Sequence, residues 1–575
     1  MDSKRLSALV LSACLGISVL AGCSQTGNPA SSFPPDGSSS PEWGEWHQWG
    51  DIGDGAYANP VLPADFSDID CIKAGKWYYA ITSTFQYSPG MLVLRSSDLV
   101  HWQYWSHAVD DLTQIGPELN HDRMNRRGKG IWAGAVRYHN HRFYLYFGTP
   151  DEGIFMTTSR DARHWEDLVC LIDSSGWDDC CPFFDEDGSV YLAVTHFSDN
   201  YKTWLYRLTD DGRSIDTTME PVLLNEGNGR EANKLYKIGE WYYHLYSEKA
   251  PGGRQLMMQR ASSVLGPYLE KRPLSQVQHE WYEPNQGGLV PAPGGSWYFM
   301  THHGRSGNWA GRIASLVPVC WVDEWPIVGI PGPEGPGRMP WTAAMPVSRR
   351  ASRKSGSETL QSSDGFDSKE LGPQWEWHYQ PRKDMWSLTE RKSCLRLYAF
   401  PPLGSDGRDS EVKLVKAGNT LTQRSFQIPK SCVTLTMDYS GMAEGQHAGL
   451  GHFSGDEAFL GLHRTAETCF LEFSAPDTLM VRELPGAFTD PSSDKRIWLR
   501  SEWSLDGLSR FSYSLDGADY QYFGSIYPLK WASYRGDRIA IYSFNPLGED
   551  GYVDIETFDY PLRPAGYSIG RNSSE

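Results

Sequence analysis

The 575-residue chain has no long basic run, and its 53 lysines and arginines are outnumbered by 71 aspartates and glutamates, a net charge of −18. That balance excludes a nucleic-acid partner as an expectation, because phosphate recognition needs a clustered positive surface. No apolar run beyond the first residues is long enough to be a membrane span. The cysteines after residue 23 (Cys71, Cys170, Cys180, Cys181, Cys320, Cys394, Cys432 and Cys469) lack the spacing of a disulfide framework, so mostly buried thiols are expected. Neighbouring Cys180 and Cys181 have no second pair and no nearby histidine cluster, which argues against a zinc site between them.

Aromatic residues and glycine are abundant: 23 Trp, 30 Tyr, 22 Phe and 57 Gly. The mixture suits twisted β-structure with tight turns and a ring-lined binding surface. Sugars fit such a surface, their C–H faces stacking on rings while their hydroxyls need a polar rim. The length exceeds what one hydrophobic core organises, so at least two domains are expected.

Lys4 and Arg5 precede an apolar run from Leu6 to about Ala21, the pattern of an export signal. It ends in Leu20-Ala21-Gly22-Cys23, which resembles the bacterial lipobox. The resemblance implies cleavage before Cys23, lipidation of its thiol, and a lipoprotein held at the cell envelope through the lipid alone. Ser24-Gln25-Thr26 adds no acidic sorting cluster, so periplasmic and cell-surface placements both stay open.

From about residue 58 to 330 a turn followed by an aromatic strand recurs: Lys76-Trp77-Tyr78-Tyr79, Arg142-Phe143-Tyr144, Ser189-Val190-Tyr191, Glu240-Trp241-Tyr242-Tyr243 and Ser296-Trp297-Tyr298-Phe299. The separations, about 47 to 66 residues, match four-stranded propeller blades with variable loops, and five copies argue for five blades. A second phrase repeats in Ser97-Asp98-Leu99-Val100-His101-Trp102 and Ser159-Arg160-Asp161-Ala162-Arg163-His164-Trp165, a turn ending in an inward-packing tryptophan. Around residues 348 to 364 the aromatics give way to Ser, Arg, Lys and Gly, as in a connecting segment. Beyond it, short alternating segments such as 393–400, 432–439, 470–473 and 538–543 read as a two-sheet sandwich without a long amphipathic helix. The expected fold is therefore all-β, a five-bladed β-propeller followed by a β-sandwich of jelly-roll type. Its parts are a leader (1–22), a flexible tether (23–45), the propeller (46–345), a linker (346–364), the sandwich (365–567) and a tail (568–575).

Inner propeller strands converge on a central channel, so carboxylates near their starts can meet although distant in sequence. Three such segments carry acids: Asn59-Pro60-Val61-Leu62 running on to Asp68, Asp179 nine residues before Gly188 in Asp179-Cys180-Cys181-Pro182-Phe183-Phe184-Asp185-Glu186-Asp187-Gly188, and Glu231-Ala232-Asn233-Lys234-Leu235-Tyr236-Lys237. With Ser83-Thr84-Phe85, Ser88-Pro89-Gly90, Gly130 to His139, Asn285 to Val290 and Gly311-Arg312 to Pro326, they resemble glycoside hydrolase family 43. The nearest members are β-xylosidases and α-L-arabinofuranosidases. Ser363 to Asp367, Trp386 to Glu390 and Asn419 to Arg424 resemble the concanavalin-like domain of the xylosidase-like members, so the likeness spans about residues 58 to 567.

That resemblance implies an inverting, exo-acting glycosidase that releases xylose or arabinose from hemicellulose-derived oligosaccharides. Asp68 is its general base, Asp179 tunes and orients the acid, and Glu231 is the general acid. Inversion sets the two reacting carboxyl groups roughly 6.5 to 9.5 Å apart, leaving room for water. Asp65 and Asp70 are rivals for the base, as Asp178 is for Asp179; the Asn-Pro-x-Leu offset and the count back from Gly188 favour Asp68 and Asp179. Phe85, Tyr87 and Trp132 are candidate sugar platforms, and Arg305 is a candidate clamp on a substrate hydroxyl or a carboxylate. No cofactor is required and no metal-ligand set is read. The family admits a structural calcium or sodium in the central channel near His302 or His303, although satisfied core histidines are the simpler reading. Two further readings stay open: another specificity, such as arabinan or galactan cleavage, and a surface lipoprotein that binds glycans without cleaving them.

Overall fold

A computed structural model describes residues 48–562 apart from 54, 277–284, 304–307, 333–334, 347–359, 406–413, 485–486 and 488–493. The expected leader, Cys23, the tether, Arg305 and most of the linker lie outside the described residues. Each aromatic repeat forms the second strand of a four-stranded antiparallel sheet: Trp77–Thr82, Arg142–Thr149, Val190–His196, Trp241–Ala250 and Trp297–His303. The central residues of these strands are buried on both faces because each blade is packed between two others. In blades 2 to 5 the four strands are consecutive in the chain, and in blade 1 the short strand Tyr87–Ser88 intervenes between the second and third.

The first strand of each blade (Asp70–Ala74, Gly134–His139, Trp177–Phe184, Glu231–Ile238, Gly287–Pro291) faces the centre of the ring. Those of blades 1 and 2, 2 and 3, 3 and 4, and 5 and 1 adjoin. The ring is fastened by the segment before blade 1. Buried Asn59 donates to the carbonyls of Leu316 and Pro340 and accepts from the Leu316 amide, while Ala56–Ala58 pairs with Thr342–Ala344. The repeated turn phrase works through its aspartate. Asp98 accepts from the amides of Val100 and His101, and Asp161 from those of Arg163 and His164, an Asx turn in both blades.

The second domain is a sandwich of two large antiparallel sheets. One runs Thr478–Glu483, Cys469–Ala475, Glu457–Arg464, His447–Phe453, Arg538–Phe544, Leu421–Arg424 and Glu376–His378, and takes Tyr87–Ser88 of the propeller as its last strand. Among the described residues no α-helix occurs, only short 3-10 turns such as Leu112–Gln114. Of the eight cysteines named above, five are buried and none is in a disulfide.

The expectation that Tyr87 offers a face to sugar is corrected by this arrangement. Tyr87 is buried between the domains, its ring 5.6 Å from that of His378 and 4.1 Å beneath the Arg538 guanidinium. Three buried arginines of the sandwich cross that interface. Arg424 donates to the Asp65 carbonyl, Arg535 lies 2.9 Å from the Asp65 carboxylate, and Arg538 and Arg424 bracket Glu376 at 2.6 and 3.0 Å. Glu376 is fully buried, and His107 of blade 1 completes its surroundings at 3.3 Å. Removing one of two anions from a buried cluster strands the cations that it faces. Glu376→Gln is therefore expected to lower the unfolding free energy by about 3–5 kcal/mol, read by urea denaturation at neutral pH; a loss below about 1 kcal/mol would contradict this account.

Candidate active site

The starts of the five inner strands open into one cavity of about 900 Å³. Asp68 precedes the first strand, Ala133 the second and Gln286 the fifth, while Asp178 and Asp179 lie near the start of the third and Glu231 begins the fourth. The three acids expected from the sequence thus line one pocket. Phe85 and Trp132 line it as well, their ring centroids 6.3 Å apart. Of the rivals for Asp68, Asp65 is held by Arg535 and by the amides of Arg312 and Gly536, and Asp70 by the Val136 amide and Arg137. Neither is among the pocket residues.

Local backbone geometry aims these side chains. In blade 3 the pairing passes from Asp178 with Thr195 to Cys181 with Ala193, and in blade 4 from Glu231 with Ser247 to Lys234 with Leu245. Each is a bulge with one extra residue, which re-aims a side chain out of the sheet alternation. Asp179 (φ +52°) and Ala232 (φ +67°) occupy the left-handed conformation those bulges need, and Asp68 is left-handed too, at φ +55°. Such conformations cost non-glycine residues free energy and persist only where their surroundings over-determine them. Buried Asn233 supplies that constraint. It donates to the Asp179 carbonyl at 2.9 Å and to Thr195 Oγ1 at 2.8 Å, and its Oδ1 sits 2.9 Å from Nε2 of His244. Burial, with Arg230 nearby, drives His244 down to about 3, so its ring is neutral. Gln259 donates to Nδ1, which leaves the His244 proton on Nε2, directed at Asn233.

The carboxylates divide by their cations. Burial works against ionisation of Asp68, yet Arg312 at 2.6 Å and the Ser83 hydroxyl at 2.6 Å together hold it below the usual range. Burial drives Glu231 the other way and, with like charge from Asp179 and Asp68, pushes it up to about 7 against Arg254 at 2.8 Å and Arg312. Asp179 is raised by burial and by Asp68 despite Lys234, and Asp178 is raised well above the carboxylate range by burial and by Asp179. One anionic carboxylate therefore shares the pocket with a protonated one near neutral pH, the pairing that acid–base cleavage of an acetal requires.

His302 accepts from the Asp68 amide through Nδ1 at 2.7 Å, and burial with Arg312 brings it to about 3, so it is a neutral ring that orients Asp68. His303 lies 2.6 Å from the Ser315 hydroxyl.

Sequence reasoning missed Arg312, Arg254 and the sandwich residues Trp531 and Tyr534, all of which line the pocket. Arg312 was visible within its phrase, but nothing in one sequence separates it from Arg305. Trp531 and Tyr534 sit in a turn of the second domain whose approach to the propeller carries no local signal.

A family model described as "Glycosyl hydrolases family 43" matches residues 57–326, and one described as "Beta xylosidase C-terminal Concanavalin A-like domain" matches residues 363–561. A β-xylosidase of Formosa agariphila is 31% identical over 558 residues, 89% of this chain and 91% of that protein. A non-reducing end α-L-arabinofuranosidase of Bacteroides ovatus is 30% identical over 373 residues, 59% of this chain and 64% of that protein. Among solved structures, a bifunctional protein of Bacteroides eggerthii superposes with a TM-score of 0.75 at 27% identity, over 90% of this chain and 64% of that longer one.

Asn233→Ala would leave the His244 Nε2–H, the Asp179 carbonyl and Thr195 short of a buried partner, at about 1–3 kcal/mol for each group left unsatisfied. The expected result is a loss of at least about 2 kcal/mol in thermal or urea unfolding, with the Asp179 bulge displaced in a crystal structure; an unshifted Asp179 would remove Asn233 from this role.

Proposed function

The chain belongs to glycosyl hydrolase family 43, and from that premise we propose that Glu231 protonates the leaving glycosidic oxygen while Asp68 activates water on the opposite face of the sugar. Asp179 keeps the acid protonated by like charge and burial. The single observation that carries this reading is the opposite displacement of two carboxyl groups in one pocket, Asp68 below its usual range and Glu231 up to about 7. The step is a single displacement: water adds to the anomeric carbon as the C–O bond breaks, its proton passes to Asp68, and the Glu231 proton leaves with the aglycone alcohol. Acid and base are both side chains of the chain, so the step needs no cofactor.

The substrate we propose is a hemicellulose-derived oligosaccharide that loses its terminal xylose or arabinose. Support comes from the relatives, one a β-xylosidase and one an arabinofuranosidase, and from Phe85 and Trp132 as ring faces beside the acids. Arg312, in direct contact with Asp68, clamps the carboxylate that we propose as the base. We also propose that residues 1–22 are an export signal and that Cys23 is lipidated, placing the enzyme at the cell envelope; the support is the Leu20-Ala21-Gly22-Cys23 motif after the apolar run.

The test is a screen of xylopyranosyl and arabinofuranosyl substrates with the first-formed product anomer read by NMR. An inverted anomer is expected, and Glu231→Gln or Asp68→Asn should lower kcat by about 10²–10⁴-fold; a retained anomer or an unchanged kcat would refute the assignment. The pH profile follows from the same groups. Asp68 must be ionised and Glu231 protonated, so kcat/KM should hold from the acid side up to about 7 and fall as pH rises through that value. Because Arg254 pulls Glu231 downward, Arg254→Gln should move the basic limb to higher pH; a downward move would contradict the pairing. Cys23→Ser should abolish incorporation of a labelled fatty acid and release the protein from the membrane fraction; continued labelling would exclude Cys23.

A further inference from the structure

We propose that Asp178 binds a hydroxyl of the terminal sugar and so helps to set which pentose the pocket accepts. This role rests on the acid–base assignment of the same pocket, in which Asp68, Asp179 and Glu231 already supply base, tuning group and acid. Asp178 is the fourth carboxyl group of the cavity wall, and that chemistry leaves it without a task.

Asp178 and Asp179 part across the bulge of Trp177–Phe184. Asp179 is held from blade 4, by the Ala232 amide and, through its carbonyl, by Asn233. Asp178 turns instead to blade 2, where its carboxyl packs on Gly148. A Cβ at that position would come within 2.4 Å of Asp178 Oδ1 and 2.9 Å of its Cα, so only glycine admits the carboxyl there. The Gly148 carbonyl accepts from the Trp132 amide at 2.9 Å, and its own amide donates to the Ala133 carbonyl at 3.1 Å. Trp132 and Ala133 both line the cavity. The Asp178 carboxyl therefore stands in the seam between blades 2 and 3, next to the segment that carries the Trp132 ring.

Packing fixes this carboxyl, and the hydrogen bonds of the fold do not use it up. Asp178 is only 9% exposed, yet among the described residues its Oδ1 has no hydrogen-bond partner. Buried polar atoms are nearly always paired, and an exception in the wall of a substrate cavity marks a place for a ligand group. Burial and the like charges of Asp179, Asp68 and Glu231 raise Asp178 well above the carboxylate range against the pull of the Asp179 amide, which favours the neutral acid. A neutral carboxyl group combines one donor with acceptor capacity. That is the complement of a sugar hydroxyl, which gives and takes a hydrogen bond in turn. A sugar resting its C–H face on Trp132 turns its hydroxyls outward, toward the polar groups around that ring. A site that bonds such a hydroxyl discriminates against the analogue that lacks it, because its buried group is then left unpaired.

The experiment compares the full chain with Asp178→Ala and Asp178→Asn, both checked for native circular dichroism. The substrates are the 4-nitrophenyl xylopyranoside or arabinofuranoside that the wild type cleaves, and its monodeoxy analogues. Asp178→Ala should lower kcat/KM on the parent glycoside by about 10–100-fold. On the one analogue that lacks the contacted hydroxyl it should cost less than about 3-fold, while the other analogues show the full loss. Asp178→Asn, equal in size and able to give and take a hydrogen bond, should stay within about 5-fold of the wild type on the parent and leave the basic limb of kcat/KM in place. Equal losses in Asp178→Ala on every substrate, wild-type rates in Asp178→Ala, or an Asp178→Asn as impaired as Asp178→Ala would each overturn the assignment. So would a basic limb moved to lower pH in Asp178→Asn, the mark of an anionic Asp178 acting on Glu231 through charge. A wild type inactive on every pentoside would refute the proposed activity and take this role with it, whereas an active wild type with uniform losses would remove this role alone.

Discussion

The ion pair between Arg312 and Asp68 sets the charge of the pocket. Four carboxyl groups crowd the pocket at the starts of the inner strands, and burial penalises ionisation of every one. Arg312 and the Ser83 hydroxyl, each 2.6 Å from Asp68, outweigh that penalty there, whereas Arg254 at 2.8 Å does not outweigh it for Glu231. Asp68 takes the negative charge, and that charge then helps to raise Asp178, Asp179 and Glu231 above where Asp68 itself lies. The division of labour is therefore a property of the group and not of any carboxylate alone. Arg254 prevents the bias from running too far, holding Glu231 near neutrality where it can both give up and regain a proton.

Arg312 is itself positioned from the second domain. Its amide donates to Asp65, whose carboxylate is gripped by Arg535 and by the Gly536 amide of the sandwich. The same stretch of sandwich carries Trp531 and Tyr534 into the pocket wall. Three buried arginines face two buried carboxylates at this interface, and aromatic faces cover the surplus: Arg535 over Phe85 at 4.5 Å, Arg538 over Tyr87 at 4.1 Å, and Arg424 over Phe66 at 5.0 Å. Buried ion pairs are weak sources of net stability but strong sources of register, since a shifted interface would strand charge. A sheet that accepts Tyr87–Ser88 as its edge strand needs that register, because one residue of slip would exchange the faces of the strand.

Much of this was legible in the sequence, and the limits have physical reasons. The five aromatic repeats each became the second strand of a blade, since a strand buried on both faces must be apolar throughout and so stands out. Asp68, Asp179 and Glu231 were legible from their offsets to blade starts, because the propeller converts position along a repeat into position around a channel. Tyr87 parts from Phe85 because the backbone turns through the left-handed conformation at Phe85 (φ +58°), so Phe85 lines the pocket while Tyr87 pairs into the sandwich sheet. Arg254, Trp531 and Tyr534 reach the site through long-range packing, which leaves no periodic trace. Asp178 was named only as a rival, yet it lines the pocket beside Asp179, as adjacent residues at a bulge can.

The strain at the site explains why so much buried polar structure surrounds it. Asp68, Phe85, Asp179, Ala232, Ser533 and Tyr534 all adopt left-handed backbone, and four of the six line the pocket. At about 1–3 kcal/mol each, such conformations would relax in a loosely packed loop. Here three of them are pinned from a neighbouring element: Asp68 by His302 and Ser83, Phe85 by paired backbone bonds with Ile131, and Asp179 by Asn233. Asn233 is in turn fixed by a histidine too buried to charge. A protonatable His244 would change its hydrogen-bonding pattern with pH and loosen the bulge that aims Asp179. Its neutrality therefore makes the scaffold insensitive to pH across the range in which Glu231 titrates, so that the carboxyl groups respond to pH while the frame that carries them does not.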